Sequence, residues 1–190
     1  PFSGLLEKLA CRLIPDSKDA AEHADDKIQI LDERLLATPA VALGRCQEVA
    51  ETMARISMDA MKTSCQLIRQ YDARSAAAIR RTEGEADQYE DMLGTYLVKL
   101  GSSDLTAQDS RTSAKILHII GDFERISDHA VNVVESAEEM KSKGLRFSPE
   151  ASHEMHVMTG AVGEIMDLAL DAYLQDAPAL AAKVEPLEQV

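Results

Sequence analysis

Residues 116–138 read ILHIIGDFERISDHAVNVVESAE. Ile116, Ile120, Phe123, Ile126, Ala130 and Val134 recur at every third or fourth position and draw one apolar stripe along a helix. Upstream, Thr106 with Asp109 resembles a capping box. Downstream, Lys143-Gly144 supplies a C-terminal stop. The pattern predicts one long helix over about 106–143. The flanking segments repeat the theme. Thr38-Pro39 is an N-cap followed by proline in the first turn, opening a helix to about Gln70 whose stripe is Val49, Met53, Ile56, Ala60, Leu67 and Ile68. A second helix runs from about Asp72 to Leu100, with the stripe Ile79, Ala86, Leu93, Tyr96 and Leu100, and ends at Gly101. Ser148-Pro149-Glu150 opens a fourth, and Asp176 to Val190 a fifth. Long helices joined by short loops pack as antiparallel neighbours. The fold class is all-α.

Composition agrees. The 190 residues hold no Trp, three Phe and four Tyr, and Val, Ile and Thr form no alternating runs, which argues against a sandwich or barrel. Lys and Arg number 20 against 33 Asp and Glu, a formal charge of −13. Nucleic acid is excluded as the main partner, because phosphate backbones demand clustered basic residues. A cation ligand or a basic partner fits better. The three cysteines, Cys11, Cys46 and Cys65, have no paired spacing, which reads as a reducing compartment without a disulfide framework or zinc ribbon. No run reaches the roughly 20 apolar residues of a membrane span, and no cleavable signal stands at the start.

The first residues differ from the rest. Phe2, Leu5, Leu6, Leu9, Leu13 and Ile14 lie at helical spacing with Lys8 and Arg12 among them. Residues 1–15 read as an amphipathic segment, 16–37 as a linker and lead-in, and 38–190 as the helical domain. The start at Pro1, without Met, is expected of a piece of a longer chain. A shift of 105 residues pairs Met53 with Met158, Met61 with Met166, Cys65 with Leu170, Ile79 with Val184 and Glu83 with Glu188. That internal repeat divides the domain into a full three-helix unit, 38–143, and a truncated second unit, 148–190.

Two acidic pairs carry the candidate chemistry. Glu83 with Asp87, and Glu124 with Asp128, each stand four residues apart, so each pair stacks on one helix face. Like charges at that spacing repel, and a cation is the simplest thing to offset them. At about 100° per residue, each Glu lies about 40° and each Asp about 80° round from the apolar stripe. Both pairs therefore border the seam between the second and third helices. Four facing carboxylates make an all-oxygen site for a hard cation, iron or manganese. A solvated acidic face is the plain alternative.

Other candidates are weaker. Glu150 and His153 form a Glu-x-x-His half-motif with no second copy, which leaves a di-metal carboxylate oxidase unsupported. Glu150 reads instead as a first-turn acid against the helix dipole. His118, His129, His153 and His156 fall on solvated faces, and Met53, Met58, Met61, Met158 and Met166 read as core filler. No phosphate loop or nucleophile–base set is present, so no enzyme is expected.

Asp122-Phe123-Glu124-Arg125-Ile126-Ser127-Asp128-His129-Ala130-Val131-Asn132-Val133 resembles the signature of the PhoU-like family. It departs at Phe123, Ser127 and Val133, none of them a carboxylate. Glu83 to Asp87 matches the companion motif. In addition, Leu31 to Ala40 and the segment Pro1 to Asp16 are similar to the stretch that leads into the cytoplasmic PhoU-like domain of bacterial sodium/phosphate cotransporters. The resemblance implies an antiparallel three-helix bundle repeat and a non-enzymatic role in phosphate transport and homeostasis. It places the domain at the cytoplasmic face of the inner membrane, with the membrane portion of the same transporter as partner. It further implies iron, manganese or zinc held by Glu83, Asp87, Glu124 and Asp128. A free-standing PhoU-type regulator is the alternative. The incomplete second unit leaves the stripe Met155, Met158, Val162, Met166 and Leu170 in need of cover, and a homo-oligomer is expected to supply it.

Overall fold

The computed structural model describes residues 31–188. The amphipathic segment 1–15 and the linker residues 16–30 lie outside these, so the readings made for them are not addressed. A short 3-10 helix, Glu33–Ala37, is followed by α1 (Pro39–Leu67), α2 (Ala73–Leu100), α3 (Ala107–Lys143), α4 (Pro149–Leu174), α5 (Pro178–Ala181) and α6 (Val184–Glu188). No strand occurs among the described residues. The all-α expectation holds.

Local chemistry fixes most boundaries. Thr106 Oγ1 accepts from Asp109 N while the Asp109 carboxylate accepts from Thr106 N, a complete capping box for α3. Asp72 caps α2 by accepting from the Ser75 amide at 2.8 Å, and Ser148 caps α4 through Ala151 N. Gly144 closes α3 in the left-handed region at φ 63°, where a Cβ would be strained. Thr38 precedes Pro39 as expected but does not cap. Its hydroxyl donates back to Leu35 O at 3.2 Å.

α1, α2 and α3 pack on one another as an up-down-up bundle with two apolar clusters. The first joins Leu43, Cys46 and Met53 of α1 to Leu93, Tyr96 and Leu97 of α2 and Ile116, Ile120 and Phe123 of α3. The second is built largely of small residues, Ala60, Ala76, Ala130 and Ala137, with Leu67, Ile79 and Val134. Small side chains let helix backbones approach closely there. Ser57 of α1 and Ser127 of α3, both fully buried, fall where one cluster gives way to the other. Ser127 takes the inward position that the stripe assigned to Ile126, which is only half-buried.

Three expectations are corrected. The lead-in over 31–37 is not extended or irregular but includes a 3-10 helix, Glu33–Ala37, that packs on the bundle: Leu31 is buried, Tyr96 donates to Asp32 O at 2.9 Å, and Lys99 pairs with Glu33. The fifth helix is two short ones broken at Ala182-Lys183, because Pro178 and Pro186 each withhold an amide and favour helix starts over interiors. Met158 is not core. It is 55% exposed, beside Val157 at 58%, because among the long helices α4 packs chiefly on α1, with Tyr173 reaching Phe123 of α3. Met166 is its one buried residue.

Candidate functional site

α2 and α3 run antiparallel, so the two acidic pairs meet across their seam at the level where the apolar clusters divide. Ala86 and Phe123 belong to the first cluster, Ile79 and Ala130 to the second. Burying these neighbours holds Glu83 and Glu124 half-buried at the edge, while Asp87 and Asp128 remain exposed.

The Glu124 carboxyl is pushed above the usual glutamate range, first by desolvation and then by the negative charge of Asp128, with Glu90 and Asp87 adding to it. Desolvation and like charge both disfavour ionisation of an acid. Glu83 instead faces an adjoining cleft of about 390 Å³ with Asp128, Arg80, Val131 and Asn132. Asp128 thus stands beside Glu124 on one side and lines the cleft of Glu83 on the other.

Two members of the site were not found in the sequence. Glu90 joins the acidic cluster one turn beyond Asp87, with Gly121 opposite: a Cβ there would lie 3.4 Å from Glu90 Oε1. Glycine in a stripe shoulder opposite an acid was the available signal. Arg80 closes the other end. Its guanidinium donates to both oxygens of Glu138 at 3.0 and 2.9 Å, and Tyr71 donates to the same carboxylate at 3.1 Å. Lys141 covers the Tyr71 ring at 4.3 Å. The Arg80 guanidinium holds the Glu138 carboxyl below its usual range. Acids at the middle of the groove are therefore crowded, while the acid at its end is neutralised.

The donor set suits a hard cation by chemistry. Among the described residues, however, no three His, Cys, Asp or Glu side chains converge closely enough to enclose an ion. A cation would have to draw Glu83 and Asp87 across the groove toward Glu124 and Asp128.

The remaining candidates sit as read. His118, His129, His153 and His156 are exposed. The Glu150 carboxyl is held low by its own backbone amide and Ser148. Two departures from the family signature have structural consequences. Phe123 meets Tyr173 of α4 edge to face, ring centres 5.3 Å apart. The Ser127 hydroxyl donates to Glu124 O at 2.8 Å, directly behind the acidic pair.

Residues 50–137 match the family model of the PhoU domain. That stretch takes in most of α1, all of α2 and α3 as far as Ala137. Over 176 residues the chain is 24% identical to a protein of Salmonella typhimurium called "Putative inorganic phosphate export protein YjbB". The alignment covers 91% of this chain and 32% of that protein, so the chain spans about a third of the curated relative it matches. No solved structure matches it. No described helix is long and apolar enough to cross a membrane.

Proposed function

We propose that this chain, whose residues 50–137 form a PhoU domain, is a non-enzymatic regulatory domain attached to a membrane protein that moves phosphate. The observation that carries the reading is the relative: a longer protein named for phosphate export aligns with nearly the whole of this chain. A free-standing regulator would not need that extra length. In this reading the partner is the membrane portion of a transporter of the sodium/phosphate cotransporter type, and the bundle lies at the cytoplasmic face of the inner membrane. The helices carry no ion across. They bias the transporter between states, and a homo-oligomer covers the outer face of α4.

The test is flux. Phosphate movement is measured in vesicles holding the full-length transporter, with and without residues 38–190. A several-fold change in rate at a fixed phosphate gradient supports regulation. Equal rates sink it.

Metal is the second part of the proposal. Glu83, Asp87, Glu124 and Asp128 bind a divalent or ferric cation, and the like charge that adds to desolvation in raising the Glu124 carboxyl is the charge such an ion would neutralise. An ion bound only to the folded chain adds about 2.7 kcal/mol at a hundredfold excess over Kd. Chelated protein should therefore melt lower, and iron, manganese or zinc should restore it. In Asp87→Ala/Asp128→Ala the restoration should vanish with the helical signal unchanged. Equal restoration in the double variant would leave these residues a solvated acidic face.

A further inference from the structure

In a chain of net charge −13, one cavity is walled mainly by hydrogen-bond donors. It lies where α1, α3 and the end of α4 meet, occupies about 240 Å³, and includes Gln47, Arg111, Thr112, Lys115, Tyr173 and Asp176 in its lining. Arg111 and Lys115 stand one turn apart on α3, a spacing at which like charges repel. No described carboxylate pairs with Arg111. Lys115 is held at 2.7 Å by Asp176 Oδ1. Asp176 in turn is the one non-glycine residue with positive φ among the described residues, at 47°. A residue in a costly backbone conformation therefore places a carboxylate on the cation. The Tyr173 ring borders the cavity while its hydroxyl is buried with no hydrogen-bond partner, its pKa pushed up to about 12 by desolvation and the charge of Glu51. Buried polar groups rarely go unpaired.

We propose that this cavity binds a phosphate-type dianion, with Arg111 and Lys115 supplying charge, Gln47 and Thr112 neutral donors that turn from Glu51 and from the Gln108 carbonyl, and Asp176 a resident carboxylate that the anion displaces. Size agrees. The volume equals about eight waters at roughly 30 Å³ each, and lies under the roughly 300 Å³ at which drug-sized pockets begin. A small ion with its last waters fits, and a nucleotide does not. Displacing Asp176 would free the strained turn after α4, so occupancy would be felt by α4 and the short helices beyond it. The inference rests on the phosphate-regulatory reading for its choice of anion.

Inorganic phosphate and the phosphomonoester headgroup of phosphatidic acid offer the same chemistry, and two arms separate them. Calorimetry on the full chain titrates sodium phosphate against sodium chloride of equal ionic strength, since salt alone screens an acidic protein. Flotation then uses phosphatidylcholine vesicles with and without phosphatidic acid. Saturable phosphate binding, weakened at least tenfold in Arg111→Gln/Lys115→Gln, assigns the dissolved ion. Capture only by phosphatidic acid vesicles, lost in the same variant, assigns the headgroup. In either case Asp176→Asn should tighten binding several-fold. Both substituted cations are exposed, so the variant should keep its helical signal. The proposal falls if the parent binds neither probe, if chloride reproduces the heat, or if the double variant binds as the parent does. Because this reads binding and the flux experiment reads transport, a regulatory domain with no anion site would fail here and pass there.

Discussion

Met53 of α1 and Met158 of α4 each stand on an apolar stripe, 105 residues apart, yet Met53 is wholly buried and Met158 is 55% exposed. The contrast runs through the two regions. In α1–α3 every helix has two neighbours, and its apolar stripe closes into a core. α4 carries its own caps and its own stripe, but packs chiefly on α1 and touches α3 through Tyr173 on Phe123. Val162, Leu170 and Tyr173 reach the first cluster while remaining partly exposed. Helix formation and helix burial are thus separate events in this chain. Capping and period produce the first, and the number of neighbours decides the second.

The largest expected effect sharpens that contrast directly. Leu93→Ala, at a fully buried site, should cost about 2–5 kcal/mol through lost transfer energy and the cavity left behind. Val157→Ala on the exposed side of α4 should stay within about 0.5 kcal/mol. Chemical denaturation of both variants checks this, and comparable losses would mean that α4 is covered in solution by another copy.

Acid should act mainly on the three-helix unit. The folded Glu138 carboxyl lies below its unfolded value, chiefly because of Arg80. Its contribution is therefore complete above the ordinary glutamate pKa and is lost as pH falls through the lowered folded value. Arg80→Ala should reduce the melting temperature at neutral pH, and its difference from the parent should shrink on acidification. The pair is well exposed, at 40% and 37%, so the effect is modest. An unchanging difference across the titration would assign the loss to packing by the Arg80 stem.

The smallest effect probes the level between the two clusters. Ser57 Oγ is buried without a partner, a desolvated group that contributes no bond. Ser57→Ala should be neutral or stabilising, by up to about 1 kcal/mol. A clear loss in thermal melts would reveal a partner for the hydroxyl, such as a buried water.

Much of the site was legible. Glu124 and Asp128 could be placed on a seam because a helical residue's angular position follows from its number alone, and the same argument placed Glu83 and Asp87. Glu90 and Arg80 could not be found that way. Glu90 belongs to the cluster because it packs opposite Gly121 on the neighbouring helix, and Arg80 matters because Glu138, 58 residues away, receives it. Ser127 shows the same limit. Hydrophobicity favoured Ile126 as the inward residue, while close helix approach beside Ala130 admitted the smaller side chain.

The sequence by itself determined the helices of this protein, because caps, prolines, glycines and apolar period act within a few residues of chain. Thr106-Asp109, Ser148-Pro149 and Gly144 set their boundaries without reference to anything distant. Tertiary structure alone decided which stripes would be covered, which carboxylates would crowd Glu124, and that Asp176 would lie against Lys115. Those outcomes depend on distances between residues far apart in the chain, and local propensity carries no information about them.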